Sequence, residues 1–192
     1  MRWIPALLSG AAAFGAVYDI GPAPGAEFKL HVLKTGLMAG KVHVFTYEQY
    51  SGRLDYDESE PAKSSVLIEI EAASIVCRDT WVSAKDKVKI TALAREMMDA
   101  ARHPRMTFRS TSVTLRPDGA YDVRGVLTLK GISRPVTVKV SALAEGPNLR
   151  LKGSAVVLRR DFNVKPPTPP FGVINNKEEM PVEFNLLAKK SN

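Results

Sequence analysis

Few side chains in this 192-residue sequence have types and spacings that could do chemistry. His31, His43 and His103 are too scattered to argue a metal site, and His103, just before Pro104, reads as the cap of a helix end. The single cysteine, Cys77, excludes an intramolecular disulfide and a site of zinc-finger type. It reads as a small residue packed near a strand end, because no His or Asp pattern around it suggests an activated thiol. The chain has no Gly-x-Ser-x-Gly elbow, paired-carboxylate motif, phosphate-binding loop or His-Glu-x-x-His. The sequence therefore names no catalytic residue, no metal and no cofactor, and the expectation is a protein that is not an enzyme.

What remains is apolar patterning. Residues 27–34 alternate, with Phe28, Leu30 and Val32 on one side and Lys29 and His31 on the other, the mark of a half-buried strand. A long aromatic strand region over 41–57 is expected to bend near Ser51-Gly52. Val66, Ile68 and Ile70 share the next face. From Ser83 to Ala101 the period changes: Ile90, Leu93, Ala94, Met97 and Met98 fall at helical spacing, with Ser83 and Asp86 as an N-cap signal. Strands then resume. Met106 and Phe108 share a face, as do Tyr121, Val123, Leu127 and Leu129, then Val136, Val138 and Val140, then Leu149 and Leu151, and last Val182, Phe184 and Leu186. The turns Pro117-Asp-Gly119, Lys130-Gly131 and Glu145-Gly-Pro-Asn148 are short, so neighbouring strands join as hairpins. A proline-rich loop is expected over 166–176. About eight strands joined in this way make a sandwich or a closed antiparallel barrel.

Hydrophobic residues at 45% and charged residues at 24% fit one soluble globular domain. The net charge of +7 permits anionic partners without choosing among them. Arg2 followed by the uncharged run Trp3–Val17 reads as a secretory leader over 1–19 with an uncertain cleavage point, and the protein is expected to be periplasmic or secreted. The folded domain is then expected over 26–190.

At Gly131-Ile-Ser-Arg-Pro-Val-Thr137 the chain resembles the YceI-like family. The hairpin Gly119–Gly131 before it, the strand His103-Pro-Arg-Met-Thr-Phe-Arg-Ser110 and the corner Arg159-Arg-Asp-Phe162 resemble that family's motifs in the same order. Lys34-Thr-Gly-Leu37, His43 and Val82-Ser-Ala-Lys-Asp86 resemble one periplasmic branch of it. Two departures are visible. Asn163 stands where the family has Gly, and a Lys-rich stretch replaces the acidic-His-Leu run before the helix. The resemblance implies an all-β, lipocalin-like closed barrel of about eight strands, with the helical segment 83–101 beside one opening. It also implies binding of a polyisoprenoid or other amphiphile in the lumen.

Leu30, Val32, Val66, Ile68, Ile70, Met97, Phe108, Leu127, Leu129, Val136, Val138, Val140, Val182, Phe184 and Leu186 are the expected lumen residues. An interior of that kind holds an alkyl or prenyl chain and rejects a charged metabolite. Each five-carbon unit gains roughly 3–4 kcal/mol at about 0.8 kcal/mol per carbon group, before ordering costs. The same stripes also fit a solid core, with a structural or stress-related role and a surface partner. His43 is either a strand-surface histidine or a head-group contact near a mouth of the barrel. Arg134, Arg159 and Asp161, with Phe162, match family motif positions and are expected to lock a corner by ion pairs or hydrogen bonds. Lys85, Lys87, Lys89 and Arg95 make either a solvated face or a docking site for an anionic membrane, at about 1 kcal/mol per cation. Nucleic acid is not expected as a partner of an exported chain with no recognisable nucleic-acid motif. Pairing of the barrel with itself stays open.

Overall fold

The computed structural model describes residues 15–166 and 174–191. They form β1 (Ala16–Gly21), β2 (Glu27–Gly36), β3 (Val42–Tyr47), β4 (Tyr50–Tyr56), β5 (Ser65–Glu71) and β6 (Ile75–Cys77), then α1 (Ala84–Met97). After the helix come β7 (Arg105–Leu115), β8 (Tyr121–Leu129), β9 (Ile132–Glu145), β10 (Asn148–Leu158), β11 (Ile174–Asn176) and β12 (Glu179–Lys190).

Every pairing is antiparallel. The order β1-β4-β5-β7-β8-β9-β10-β12 closes on itself because β12 returns to β1, from Tyr18↔Lys190 to Gly21↔Leu187. β12 also pairs with β2, from Val182↔Leu30 to Asn185↔Glu27. β1 and β2 are thus two halves of one bent ring position. β4 with β3 and β5 with β6 behave in the same way, since β1 pairs β4 while β2 pairs β3, and β4 pairs β5 while β3 pairs β6. The result is a closed eight-position antiparallel barrel, lengthened at one end by β2, β3 and β6 and covered there by α1. One ladder is incomplete. β9 and β10 pair from Asn148↔Glu145 to Ser154↔Lys139. Beyond that, β9 runs against β8 alone and β10 against β12 alone.

The period-two alternation dictates the inside. Leu30, Ile68, Ile70, Met106, Leu129, Leu151 and Leu186 are all buried, each on a different strand or two positions from its neighbour. The helix starts where its cap predicts: the Ser83 hydroxyl accepts the Asp86 N–H at 3.1 Å. It stops earlier than 101, because Met98 caps it and Asp99 turns to φ 53°. Ala94 of the helix and its C-cap Met98 are buried in the same core as Ala72, Ile75, Phe162 and Val164.

Three expectations need correction. The bend of the aromatic strand region falls at Glu48-Gln49, between β3 and β4, and not at Ser51-Gly52. Gly52 lies within β4, where an added Cβ would meet the Ile68 Cδ1 at 2.5 Å and the Leu67 carbonyl at 2.7 Å, so the glycine serves a close cross-strand approach. The domain also begins before 26. Ala16–Gly21 is a barrel strand with Tyr18 and Ile20 buried, so a leader boundary at 19 cuts through it. The apolar run from Trp3 to Val17 merges into the alternation of β1, which hid the strand. The rest of the expected leader, residues 1–14, lies outside the described residues, as does most of the proline-rich loop, residues 167–173. The end of that loop is β11, which pairs with the end of β2.

Candidate functional site: an apolar lumen with a polar mouth

The barrel encloses a cavity of about 180 Å³. Its wall takes one or more residues from every ring position: Ile20, Phe28 and Leu30 from β1 and β2, Leu54 and Tyr56 from β4, Val66, Ile68 and Ile70 from β5. Phe108 and Val113 follow from β7, Val123, Leu127 and Leu129 from β8, Val136, Val138, Val140 and Ala142 from β9. Leu151, Ala155 and Val157 of β10, with Met180, Val182, Phe184 and Leu186 of β12, close the circle. No ionisable acid or base side chain is among them except tyrosines. Tyr56 and Tyr121 bond each other through their hydroxyls at 2.9 Å, and burial pushes the Tyr56 phenol well above the ordinary range. The fully buried Tyr47 phenol is raised by the same cause.

Of the residues expected in the lumen, all but Val32 and Met97 lie on this wall. Those two line a separate pocket of about 400 Å³ between α1 and the β2–β3 extension. That pocket shares Leu30, Met98 and Met180 with the lumen, so it adjoins the lumen at the end covered by α1 and is the candidate for its mouth. Met98, not Met97, is the helix methionine that faces the lumen, because the last turn carries it inward as the buried C-cap.

His43 is in this mouth, and it is not a surface histidine. It is 9% exposed and its Nδ1 lies 2.5 Å from Asp79 Oδ2. Asp79 is 1% exposed, and its Oδ1 accepts the Val44 N–H at 2.7 Å. Cys77 lies beside them; its thiol is pushed up by burial, and its sulfur is within 4.8 Å of donor atoms of both His43 and Asp79. The reading of Cys77 as having no His or Asp around it is therefore overturned: β3 and β6 pair Phe45 with Cys77 and bring His43 to it from 34 positions away. This set could present donors to a metal, but both Asp79 oxygens are already engaged within the protein, and burial favours the protonated thiol over the thiolate that a metal needs. Trp81 stacks on His43 with ring centroids 5.1 Å apart and donates its indole N–H to the Val42 carbonyl at 3.0 Å. Lys41 sits over the Trp81 ring. Lys34 also lines the mouth; burial lowers its ammonium, an effect that Asp79 opposes.

The model of the YceI-like domain matches residues 25–188. The chain belongs to the YceI-like domain family. It is 28% identical over 198 residues to a UPF0312 protein of Pseudomonas savastanoi pv. phaseolicola, covering 96% of this chain and 93% of the relative. A UPF0312 protein of Pseudomonas paraeruginosa is 28% identical over 169 residues, covering 83% of this chain and 82% of the relative. Among solved structures, Burkholderia cenocepacia BcnA superposes with a TM-score of 0.67 at 22% identity, over 84% of this chain and 96% of that one. A domain of Saccharophagus degradans, described as a polyisoprenoid binding domain implicated in plant cell wall breakdown, gives 0.61 at 12% identity, over 90% and 98%. These likenesses show the fold.

The YceI-like motif residues divide. Arg159 locks a corner, pairing with Glu178 and donating from Nε to the Lys177 carbonyl at 3.3 Å. Phe162 is buried at 1%, and Asn163 takes φ 51°, a left-handed conformation that asparagine adopts at modest cost. Arg134 and Asp161 do not pair with each other. Arg134 donates to the Ser133 carbonyl at 2.9 Å, and Asp161 lies 3.7 Å from Arg160. Both instead line a cleft of about 660 Å³ where β9 and β10 separate, a cleft that shares Val136, Ala155, Val157 and Val182 with the lumen. The stretch before the helix, where a Lys-rich sequence replaces the family's acidic-His-Leu run, contains Asp79. No periodicity flags that residue, which follows the short apolar run Ile75-Val-Cys77 after one arginine.

Proposed function

We propose that this YceI-like protein binds and carries an apolar, isoprenoid-like lipid chain in the barrel lumen, outside the cytoplasm. The observation that carries the reading is the apolar wall to which all eight ring positions contribute, with a polar pocket beside one end. Such a wall gains free energy from each carbon it covers and has no group to hold a charged metabolite. The description of the Saccharophagus degradans neighbour as polyisoprenoid binding agrees with it. Binding without catalysis agrees with the same wall, whose only side-chain polar groups are the hydroxyls of tyrosines and of Ser64 and Ser65, with no acid or base beside them to activate one. The uncharged run Trp3–Val17 supports export.

Loading from an anionic membrane fits the mouth. Val88 on α1 is 71% exposed between the exposed Lys85 and Lys89, and Leu37 in the turn after β2 is 81% exposed, a mixture of apolar anchor and positive charge that suits a lipid surface. The test has two arms. Lipid extracted from gently purified protein is identified by mass spectrometry, with a long apolar chain expected. Thermal shifts are then read with prenyl alcohols of rising length, and the shift should grow with each unit. An empty extract together with length-independent shifts would return the interior to a plain structural core.

A further inference from the structure

The lumen wall carries no charged side chain, and the buried ionisable pair nearest to it, His43 and Asp79, lies at the mouth under α1. There the Asp79 carboxylate sets the state of His43. Asp79 Oδ1 is committed to the Val44 N–H at 2.7 Å, and Oδ2 stands 2.5 Å from His43 Nδ1. An ionised carboxylate only accepts, so Nδ1 carries the proton and, in the neutral imidazole, Nε2 carries the lone pair. The ring face is under Trp81 and Nδ1 is turned to Asp79. The edge of His43 left to line the mouth is therefore the one bearing Nε2, which makes no hydrogen bond among the described residues. Lys34 lines the same mouth and has no ion-pair partner among the described residues.

We propose that His43 Nε2 is the acceptor for a hydroxyl head, and that the lipid this barrel selects is a long-chain alcohol over the ether or hydrocarbon of the same chain. A single hydroxyl meets both partners: its O–H donates to His43 Nε2, and its oxygen accepts from Lys34. An ether oxygen faces the Nε2 lone pair with a lone pair of its own and leaves it unmatched. The inference rests on the lumen reading above, which supplies the chain site.

The test compares geranylgeraniol with its methyl ether on the full chain at pH 8.5, above the ordinary range of an imidazole. The alcohol should bind about tenfold tighter, the size of one well-made hydrogen bond. Asp79→Asn is the decisive variant. The Val44 N–H still requires an acceptor, which turns the asparagine oxygen towards Val44 and its NH2 towards His43 Nδ1. The imidazole proton then moves to Nε2, which becomes a donor, and the preference for the alcohol should vanish or reverse in favour of the ether. In His43→Phe the preference should vanish while ether affinity stays within about threefold of the parent. Should either variant fail to fold, the parent alone decides through nitrogen NMR. The His43 Nε2 resonance should move on adding the alcohol and stay still with the ether. Equal affinity for the two lipids, or an unchanged preference in Asp79→Asn, overturns the head-site proposal while leaving the carrier reading intact. Absence of binding by both, at any chain length, overturns the carrier reading as well.

Discussion

Ala142→Leu separates a hollow barrel from a solid one by the sign of its effects. Ala142 on β9 stands opposite Leu151 on β10 and faces the 180 Å³ lumen. Leucine adds three carbon groups, which gain about 2.4 kcal/mol at about 0.8 kcal/mol each when they enter unfilled apolar space. For a chain of this size that raises Tm by about 5–10 °C. The same three groups displace an equal length of bound lipid, so affinity falls by about 2.4 kcal/mol, roughly 60-fold. Stability and binding should thus move in opposite directions. Calorimetric melting of the lipid-free protein and titration with geranylgeraniol read the two quantities. Leu143→Ala on the outer face of the same strand should change neither ligand affinity nor the gap between apo and bound melting temperatures. If Ala142→Leu instead destabilises by the roughly 1–3 kcal/mol typical of overpacking and leaves affinity unchanged, the interior is a filled core and the reasoning fails.

Other outcomes follow from particular contacts. The Tyr47 phenol is raised by burial, so its stabilising contribution is full below the unfolded value near 10 and is lost as pH rises towards the folded one. Its hydroxyl has only a 4.0 Å contact with the Met106 sulfur, so Tyr47→Phe should be close to neutral at pH 7 and should flatten the alkaline loss seen in melts from pH 9 upwards. Asn163→Ala should cost about 1–2 kcal/mol in urea unfolding because alanine resists positive φ, whereas Asn163→Gly should cost nothing measurable. Charge reversal at Lys85 and Lys89 should reduce co-sedimentation with anionic vesicles several-fold at low salt, leave neutral vesicles unaffected and leave lipid affinity in solution unchanged.

Most of the barrel was legible because its inward residues alternate without interruption. Val136, Val138 and Val140, or Val182, Phe184 and Leu186, each name a face by period alone. β1 was not legible, since its Val17-Tyr-Asp-Ile20 alternation is short and follows an apolar run that reads as a leader. β6 is three residues long and offers no period to detect. The lumen wall followed from the strands, but Val32 and Met97 went to the mouth because the β2–β3 extension and the end of α1 rise beyond the ring. The His43–Asp79 pair was out of reach for another reason. It is made by the pairing of β3 with a strand too short to predict, and neither residue type announces burial.

A closed barrel ordinarily has no free strand margin, yet this one has such a margin beyond Lys139 and Ser154, where β9 and β10 diverge. Unpaired backbone there is an invitation for a second chain to add itself as a strand and start a fibre. Arg134 and Pro135 lie in that stretch of β9, and the proline offers no N–H to an incoming ladder. The Arg-Pro pair of the family motif thus lies on a line where the wall stays unzipped, and it leaves an incoming strand one N–H short of a full ladder.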